Sequence, residues 1–536
     1  MKNIYKNFKL IFATIVIIAI GSSCDKKVLD VTPFSSFTDA TAFTTVERIN
    51  LAINGVYDAA QSGFYAGGVV RGYPFGAASI QQGDMRGEDM LNQAAFYQIS
   101  YENTQLDNSA NNRFQFETLY ALINKANLVI EGVNGAVSKG IITAAQAAQF
   151  EGECRFLRAM AHHELLIFFA RPFTDNAGGQ TGIIYRTFGI NNDATSEAAK
   201  ALTRTTVADC YTKLLADLNF AETNLSATST LKTFKATRAA AVALKMRVRM
   251  HQGDWPGVKT EGDKIVSAAM PFTSAIGTWR LAATSGAAFV APWQSDENIF
   301  SIKNDATDNP GVNGSLPNMF GNPSPAPVGT GGRGLVRISP IAWNFTPWLC
   351  DDLRRTGLTS SDGGAGRYTT KYKDVTTQSD AAPMIRYAEV LLMLAEAEAR
   401  IAATPSTRAL DLLNAVRNRS LASPTTQAYT IATFLTKNAL IQAILDERRI
   451  EFLAEGKRFA DLSRLANDAS FAPIAGGGIP SKIGSGAATA AMFNCAAPPV
   501  LTRSVPALAY SNFRFIWPIP ITEIQQNPNY TQNPGY

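Results

Sequence analysis

The sequence predicts a mainly α-helical protein, in which a scaffold of tetratricopeptide-like helix pairs carries a loop-rich, irregular second lobe. Two observations lead to this fold class. Apolar residues recur at the spacing of a helix face through both ends of the chain, and long stretches rich in Gly, Pro, Ser and Asn interrupt them. The 536 residues, of which 46% are hydrophobic and 17% charged, suffice for a substantial core and two or more subdomains.

Several helical segments are neighbours joined by short links, as in helix-pair repeats. We expect helices at residues 40–62, 113–133, 144–170, 205–226, 236–251, 255–269, 384–402, 406–420 and 431–455. Small residues recur within them, as at Ala388, Ala395 and Ala399, and alanines at such spacing let helices approach closely. Residues 238–268 predict one helix pair that breaks at "QGDWPG". No strict repeat period appears, so the repeats are degenerate.

Long segments between these helices predict irregular structure, and they are residues 64–110, 171–203, 270–382 and 466–536. Loops of this length in a compact protein are usually functional or contain small elements of their own. Two runs within them, "ENIFSI" at 297–302 and "GLVRI" at 334–338, predict short strands.

The N-terminus predicts a lipoprotein signal. An apolar run, "LIFATIVIIAI", follows Lys2, Lys6 and Lys9 and ends in "GSSC". The run is shorter than the ~20 residues that a helix needs to cross a bilayer, so a signal peptide at residues 1–23 fits better than a membrane span. Cys24 stands where a lipobox cysteine is lipidated and becomes the mature N-terminus. The alternative is an ordinary cleaved signal with a chance cysteine.

Charge and cysteine content argue against two classes of protein. The net charge is +5, and three of the lysines that supply it lie in the signal, which leaves +2 and no electrostatic case for nucleic acid binding. The remaining cysteines are far apart and form no CxxC motif: Cys154, Cys210, Cys350 and Cys495. The first two lie in helical patterns and predict buried free thiols, and no disulfide framework is indicated.

Motifs of catalysis are missing from the sequence. It contains no GxSxG nucleophile elbow and no phosphate-binding P-loop. His162 and His163 lack the HExxH spacing of a zinc helix, and we expect them to be surface or partly buried packing residues. Gly329, Gly331 and Gly334 form a GxGxxG, but a proline-rich segment precedes them instead of a strand, which favours a flexible loop. These motifs therefore identify no active site.

An acidic turn, "GDMRGEDM", contains Asp84, Glu88 and Asp89. Such carboxylates suit a calcium ion or an acid–base pair. The turn is not an EF-hand loop, however, and an isolated acidic turn is usually solvated. We therefore predict no cofactor, and a structural calcium ion has no support.

Many aromatic residues lie in the loop-rich segments: Tyr65, Tyr73, Phe75, Phe96, Tyr97, Trp279, Trp293, Trp343 and Trp348. A planar ring stacks on the apolar face of a sugar, and amide or acidic neighbours bond the sugar hydroxyls. Any single loop aromatic more often anchors its loop to the core. As a set they predict a shallow oligosaccharide site, for which the candidate ligand-binding residues are Trp293, Trp343, Tyr73 and Tyr97.

Residues 445–464, "LDERRIEFLAEGKRFADLSR", place charges on the apolar face of a predicted helix. Buried charges are tolerated when they are paired. We therefore expect a structural ion network whose members are Arg386, Glu447, Arg448 and Glu451. Arg386 would pair with either glutamate, and Arg448 with a carboxylate such as Glu396. An acid–base active site is the less favoured alternative.

Four stretches of the chain, taken together, are typical of one protein family. They are the "GSSC" site, "PMIRYAEVLLMLAEAEAR", "DERRIEFLAEGKRFADLSR" and the C-terminal "FIWPIPITEIQQNPNYTQNPGY". In this order they resemble the SusD/RagB family of outer-membrane nutrient-binding lipoproteins, and the resemblance covers nearly the whole chain. It implies a tetratricopeptide-like scaffold that is lipid-anchored to the cell outer membrane and exposed at the surface.

The resemblance also implies a partner and a function. The partner is a SusC-like TonB-dependent transporter, over which the lipoprotein captures oligosaccharides, or peptides in some members, without catalysis. The implied division of the chain is 1–23 signal peptide, 24–39 tether, 40–270 N-terminal helical region with inserted loops, 271–382 loop-rich ligand lobe, and 383–536 C-terminal helical region and tail. A secreted glycoside hydrolase and a structural surface protein are the alternatives.

Overall fold

The computed structural model describes residues 39–536, so the predicted signal peptide and the lipidation residue Cys24 lie outside the described residues. Helices are the dominant element, which confirms the mainly α fold class. They are α1 Asp39–Ala42, α2 Val46–Gln61, α3 Ala77–Met85, α4 Gln98–Tyr101, α5 Ala110–Ser138, α6 Ala144–Phe169, α7 Asp193–Lys200, α8 Val207–Asn224, α9 Arg238–Gln252, α10 Trp255–Ile265, α11 Leu316–Phe320, α12 Pro340–Trp343, α13 Leu353–Gly357, α14 Tyr387–Ile401, α15 Thr407–Arg417, α16 Pro424–Gln427, α17 Lys437–Glu451, α18 Arg458–Arg464 and α19 Ile521–Gln526. The division of the chain into five parts stays a prediction.

The long helices pack against one another in a row. α2 packs on α5, α5 on α6, α6 on α8, α8 on α9, α9 on α10, α10 on α14, and α14 on both α15 and α17. This succession is the packing expected of tetratricopeptide-like helix pairs. Small residues permit close approach, since a Cβ at Gly262 of α10 would lie 2.8 Å from a methyl carbon of Leu394 in α14.

The helix pair predicted at 238–268 is present as α9 and α10. Gly253 ends α9 in the left-handed conformation, with φ 72°, and its amide bonds back to the carbonyl of Met250 at 3.1 Å. Asp254 then caps α10, because its carboxylate accepts a hydrogen bond from the amide of Gly257 at 3.0 Å. The "QGDWPG" segment therefore stops one helix and starts the next.

Short strands form two-stranded antiparallel ladders in the loop-rich segments. The described strands are β1 Met90–Asn92, β2 Asn298–Ile302, β3 Val336–Ile338, β4 Thr359–Ser361, β5 Arg367–Thr369, β6 Ala382–Arg386, β7 Gly478–Ile479 and β8 Leu508–Ala509. The ladders join β1 to β3, β2 to β6, β4 to β5 and β7 to β8. β2 and β3 confirm the two predicted strand runs. Because β6 continues directly into α14, the β2–β6 ladder attaches the loop-rich lobe to the helix row.

Two predicted helices begin or end elsewhere than expected. The helix predicted at 384–402 begins only at Tyr387, because the preceding residues pair as β6, with Arg386 opposite Asn298 of β2. The helix predicted at 431–455 spans Lys437–Glu451, and the chain then turns through Ala454 at φ 64° before α18 begins. Both differences arise from partners that are remote in sequence, which helical periodicity does not report.

The structure contains a disulfide that the sequence did not indicate. Cys350 and Cys495 are bonded, with their Cα atoms 5.6 Å apart and a sequence separation of 145. Both lie in irregular segments, where no periodicity indicates which residues meet. Cys154 and Cys210 are buried free thiols, as predicted.

The two adjacent histidines are fully buried, so the expectation of surface or partly buried positions is wrong. His162 stacks on Tyr185 with ring centroids 3.7 Å apart, and His163 meets His251 edge-on at 4.8 Å. Their helix, α6, packs on α2, α5, α8 and α9, and this arrangement covers both ring positions. Burial lowers the pKa of both rings, which therefore act as neutral packing groups.

Candidate functional site

A cavity of about 420 Å³ lies at the junction of two irregular segments. Its lining residues are Tyr65, Arg71, Tyr73, Ala78, Phe96, Tyr97, Asn111, Asn313, Met319 and Arg333. All except Asn111, at the start of α5, come from the segments predicted at 64–110 and 270–382. Ala78 of α3 and Met319 of α11 fix these loops to short helices. Both irregular segments therefore build one concave site on the scaffold.

The backbone around Gly72 requires glycine. Gly72 has φ 79°, and a Cβ there would lie 2.4 Å from the amide nitrogen of Ala77. The turn places Arg71 and Tyr73, on either side of this glycine, in the wall of the same cavity. The buried position of Tyr73 is fixed further by Gln82, whose amide donates to the phenol oxygen at 3.0 Å.

Aromatic rings form much of the cavity wall. The rings of Tyr65 and Tyr73 are stacked, with centroids 6.3 Å apart and planes 7° from parallel. Phe96 and Tyr97 form a second pair, tilted by 56° at 4.5 Å. Phe96 is 47% exposed, whereas Tyr73 and Tyr97 are buried. The wall thus combines fixed rings with one ring that is open to solvent.

Polar groups accompany the rings. The Tyr97 hydroxyl forms no hydrogen bond to any other residue within 39–536. Burial raises the pKa of Tyr97 and of Tyr73, so both phenols stay protonated, and the Tyr97 hydroxyl is available as a donor. Asn111 donates to the carbonyl of Phe96 at 2.7 Å, and Arg333 donates to the side-chain oxygen of Asn313 at 2.5 Å.

The four predicted ligand-binding aromatics do not form one platform. Tyr73 and Tyr97 meet in the cavity, but Trp293 lies in the core and is only 3% exposed. Its ring stacks on Tyr372 at 6.0 Å, and its indole nitrogen donates to Asp380 at 3.2 Å. Trp293 therefore lies outside the cavity as a loop anchor, a burial that a loop position in the sequence does not reveal.

Trp343 is also outside the cavity. It is half-buried and packs edge-on against Trp348 at 5.8 Å and Phe493 at 6.1 Å. The Arg355 guanidinium lies 4.8 Å from its ring centroid. These contacts join the loops that the disulfide also links, so Trp343 too is placed as an anchor.

The sequence reasoning missed the polar members of the cavity, Arg71, Asn313 and Arg333. A signal was present, because each arginine stands beside glycines in an irregular segment, as "RGY" and "GGRG". Glycine gives a loop freedom to bring a charged side chain to a site. Two of the loop aromatics, Tyr65 and Phe96, belong to the cavity although neither was among the four candidates.

The charged helix α17 takes part in a buried ion network. Arg386 is 1% exposed and bonds to Glu297, to Glu451 at 3.0 Å and to Glu455 at 2.8 Å. Of the two expected mates, only Glu451 contacts Arg386, because Glu447 bonds to Arg354 at 2.6 Å instead. Burial alone would lower the pKa of Arg386, but these carboxylates raise it, so the guanidinium stays charged.

The expected pairing of Arg448 with Glu396 is wrong. Arg448 bonds to Asp461 at 3.2 Å. Glu396 instead bonds to Arg400 and Arg464, each at 2.9 Å. The turn after α17 brings α18 alongside, and α18 supplies both Asp461 and Arg464.

The acidic turn is buried, contrary to the expectation that solvent surrounds it. Arg449 bonds to Asp89 and, at 3.0 Å, to Glu88, which Arg458 also contacts. Burial alone would raise the pKa of Glu88, but the two arginines lower it to about 2. Within the described part of the chain, no group of His, Cys, Asp and Glu has the arrangement of a metal site. Arginines, not solvent, therefore surround these carboxylates.

The helix row and its cavity define the class of protein, a tetratricopeptide-like helical scaffold with a cavity formed by its irregular segments. Two family models match the chain: the SusD family over residues 359–536, and a family described as "Starch-binding associating with outer membrane" over residues 27–250. The chain belongs to the SusD/RagB family. None of the helices between residues 39 and 536 has both the length and the apolar character needed to span a bilayer.

Related sequences and structures align with most of this chain. Two SusD-like proteins of Formosa agariphila are 25% and 23% identical to it, each over 86% of this chain and over 92% and 91% of their own. A SusD superfamily protein of Bacteroides fragilis superposes with a TM-score of 0.73 at 24% identity, over 91% of this chain and all of that one. Surface glycan-binding protein A of Bacteroides thetaiotaomicron, solved with laminarihexaose, gives 0.65 at 17% identity, again over 91% of this chain and all of that one. The structural likenesses establish the fold.

Proposed function

We propose that the protein is a non-catalytic cell-surface lipoprotein that captures oligosaccharides and delivers them to a TonB-dependent transporter in the outer membrane. The observation that carries the proposal is the aromatic cavity of Tyr65, Tyr73, Phe96 and Tyr97. Its volume of about 420 Å³ is typical of ligand pockets. The fold is shared with a glycan-binding protein solved with laminarihexaose.

The chemistry of the wall suits a sugar. A pyranose ring has an apolar face that stacks on an aromatic ring, and hydroxyls at its edge that need hydrogen-bond partners. The exposed ring of Phe96 offers the stacking face. Tyr97, Asn111 and Asn313 offer donors and acceptors around it.

The cavity does not favour glycoside hydrolysis. That reaction usually requires two carboxylates on either side of the scissile bond. No Asp or Glu is among the described residues that line the cavity. This observation supports binding without turnover at this cavity.

The binding proposal is tested with a glycan array followed by calorimetry on the hits. Removing the ring of Tyr65 or Phe96 with alanine should weaken binding by about 1 to 3 kcal/mol, by analogy with stacking of bases on aromatic side chains. Trp343→Ala is the matched control, because it removes an aromatic ring outside the cavity and should leave affinity unchanged. Binding that survives both cavity substitutions, or that is lost only in the control, would show that the site lies elsewhere.

The anchor and the transporter need separate tests. Cys24→Ser should release the protein from the outer membrane in cells that lack the partner transporter, because the lipid would be the remaining attachment. Retention of the variant in the membrane fraction of such cells would contradict lipidation at Cys24. For the partner, affinity purification of the tagged lipoprotein from solubilised outer membranes should recover a TonB-dependent barrel in stoichiometric amount.

A further inference from the structure

The cavity contains two guanidinium groups that have no carboxylate partner within residues 39–536. Arg71 is half-buried and forms neither an ion pair nor a hydrogen bond there, and its guanidinium lies over the face of Tyr65, 5.5 Å from the ring centroid. The Arg333 side chain bonds to the neutral amide of Asn313 and lies 3.8 Å from the sulfur of Met319. The wall of this cavity therefore carries two positive charges and no negative one.

Other arginine side chains in the fold have ion-pair or hydrogen-bond partners. Arg386 and Arg449 are paired with carboxylates, and Arg86 and Arg355 donate to backbone carbonyl oxygens. Arg71 has neither kind of partner, although it is half-buried against an aromatic ring. An arginine with five unused donors in a cavity wall is suited to an acceptor that arrives from outside.

The two guanidinium groups act on the same point of the cavity. Burial raises the pKa of the Tyr97 phenol, and the positive charges of Arg71 and Arg333 both oppose that rise. Both cations therefore lie within electrostatic reach of one hydroxyl, which itself is a free donor. Since Arg71, Arg333 and Tyr97 line the same cavity, an anionic oxygen group bound there would have two guanidinium groups and a phenol as donors, and guanidinium groups bind such groups in bidentate geometry.

We infer that the cavity selects acidic oligosaccharides, whose uronate carboxylate or sulfate ester binds between Arg71 and Arg333 while the sugar ring contacts the aromatic wall. This inference rests on the proposed function, since it names the class of glycan that the same site takes. An acidic peptide would supply the anion without the apolar ring face that the exposed Phe96 ring is placed to contact, so a sugar is favoured. Carboxylate and sulfate groups are both anions with oxygen acceptors for a guanidinium, and the experiment below distinguishes them.

Titration calorimetry with paired probes tests the inference on the chain without its lipid. The pairs are an oligogalacturonate and its methyl ester, and a sulfated galactan oligomer and its desulfated form; laminarihexaose and an oligoglutamate complete the set. At least one acidic sugar should bind roughly ten-fold tighter than its neutral counterpart, and the difference should shrink as salt rises. A difference in affinity within the oligogalacturonate pair identifies the anionic group as a carboxylate, and one within the galactan pair identifies it as a sulfate ester.

Two variants locate the effect. Arg71→Gln and Arg333→Gln should each reduce affinity for the acidic sugar roughly ten-fold and leave that for its neutral counterpart nearly unchanged. Arg503→Gln is the matched control, because Arg503 is exposed and does not line the cavity, and it should have no effect. Melting temperatures of all three should equal that of the unaltered protein, since none of these arginines forms an ion pair with another residue within 39–536.

The outcomes separate the inference from the proposed function. Equal or tighter binding of the neutral sugars would overturn acidic selection and leave glycan capture standing. Acidic binding that persists in both glutamine variants would likewise overturn the role of the arginines. Binding of oligoglutamate alone, or of no sugar in the set or on the array, would refute glycan capture and the inference with it.

Discussion

Arg386→Met should destabilise the protein by about 3 kcal/mol at neutral pH. The guanidinium is buried and bonds to Glu297, which directly precedes β2, to Glu451 at the end of α17, and to Glu455 in the turn that follows α17. Methionine conserves most of the volume and keeps apolar contact with the rings of Phe289 and Phe452, so the change isolates the loss of charge.

The magnitude follows from the partners that remain. Breaking a buried pair typically costs about 3 to 5 kcal/mol, because a carboxylate is left without compensation. Here each carboxylate keeps another cation: Arg419 for Glu297, Arg354 and Arg419 for Glu451, and Lys371 for Glu455. We therefore place the cost at the lower end of that range.

Urea denaturation followed by tryptophan fluorescence measures the change in the free energy of unfolding. Lys200→Ala is the matched control, since Lys200 pairs with Glu197 at an exposed site and should shift stability by less than about 0.5 kcal/mol. A double-mutant cycle with Glu455→Gln should show a coupling of about 1 to 3 kcal/mol between the two positions.

Two results would refute this reasoning. A cost for Arg386→Met as small as that of the surface control would show that the network does not stabilise the fold. Strict additivity with Glu455→Gln, within about 0.5 kcal/mol, would show that the two groups do not interact in solution.

Three further predictions concern other parts of the molecule. Replacing Cys350 and Cys495 by serine should lower the free energy of unfolding by about 2 to 5 kcal/mol, because the disulfide closes a loop with a sequence separation of 145. Reducing the disulfide of the unaltered protein should lower its stability in urea by the same amount. Unchanged stability in both experiments would contradict this prediction. Burial raises the pKa of Asp84 to about 8, so its contribution to stability is complete below its unfolded value near 4 and is lost as pH rises through 8. Asp84→Asn should therefore become more stable relative to the unaltered protein as pH rises over that window. A difference in the free energy of unfolding that stays constant with pH would argue against a raised pKa for Asp84. Gly83→Ala should destabilise the protein, since the new Cβ would lie 2.4 Å from a backbone oxygen. Gly135→Ala, in the exposed face of α5, should instead stabilise it by about 0.5 to 1 kcal/mol. Melting temperatures that change in the same direction for both variants would contradict this packing argument.

The helix row was predictable because its causes are local. Caps and breaks act over a few residues, as Gly253 and Asp254 show between α9 and α10. The candidate site was predictable only in part. Tyr73 and Tyr97 line the cavity, whereas Trp293 and Trp343 pack as anchors outside it. A loop ring that faces a ligand and one that faces the core have the same sequence signature.

The sequence by itself determined the fold class, the family motifs and the presence of charges that must be paired inside the molecule. Only the tertiary structure decided which residues meet. Asp89 pairs with Arg449, which is 360 positions away in sequence. Arg386 pairs with Glu297, next to β2, as well as with Glu451 of α17, and two arginines from separate glycine-rich loops line one cavity. The physical reason is that helical periodicity and capping act within a few turns of the chain. Partners at long range depend on the path of every loop between them, and no local pattern records that path.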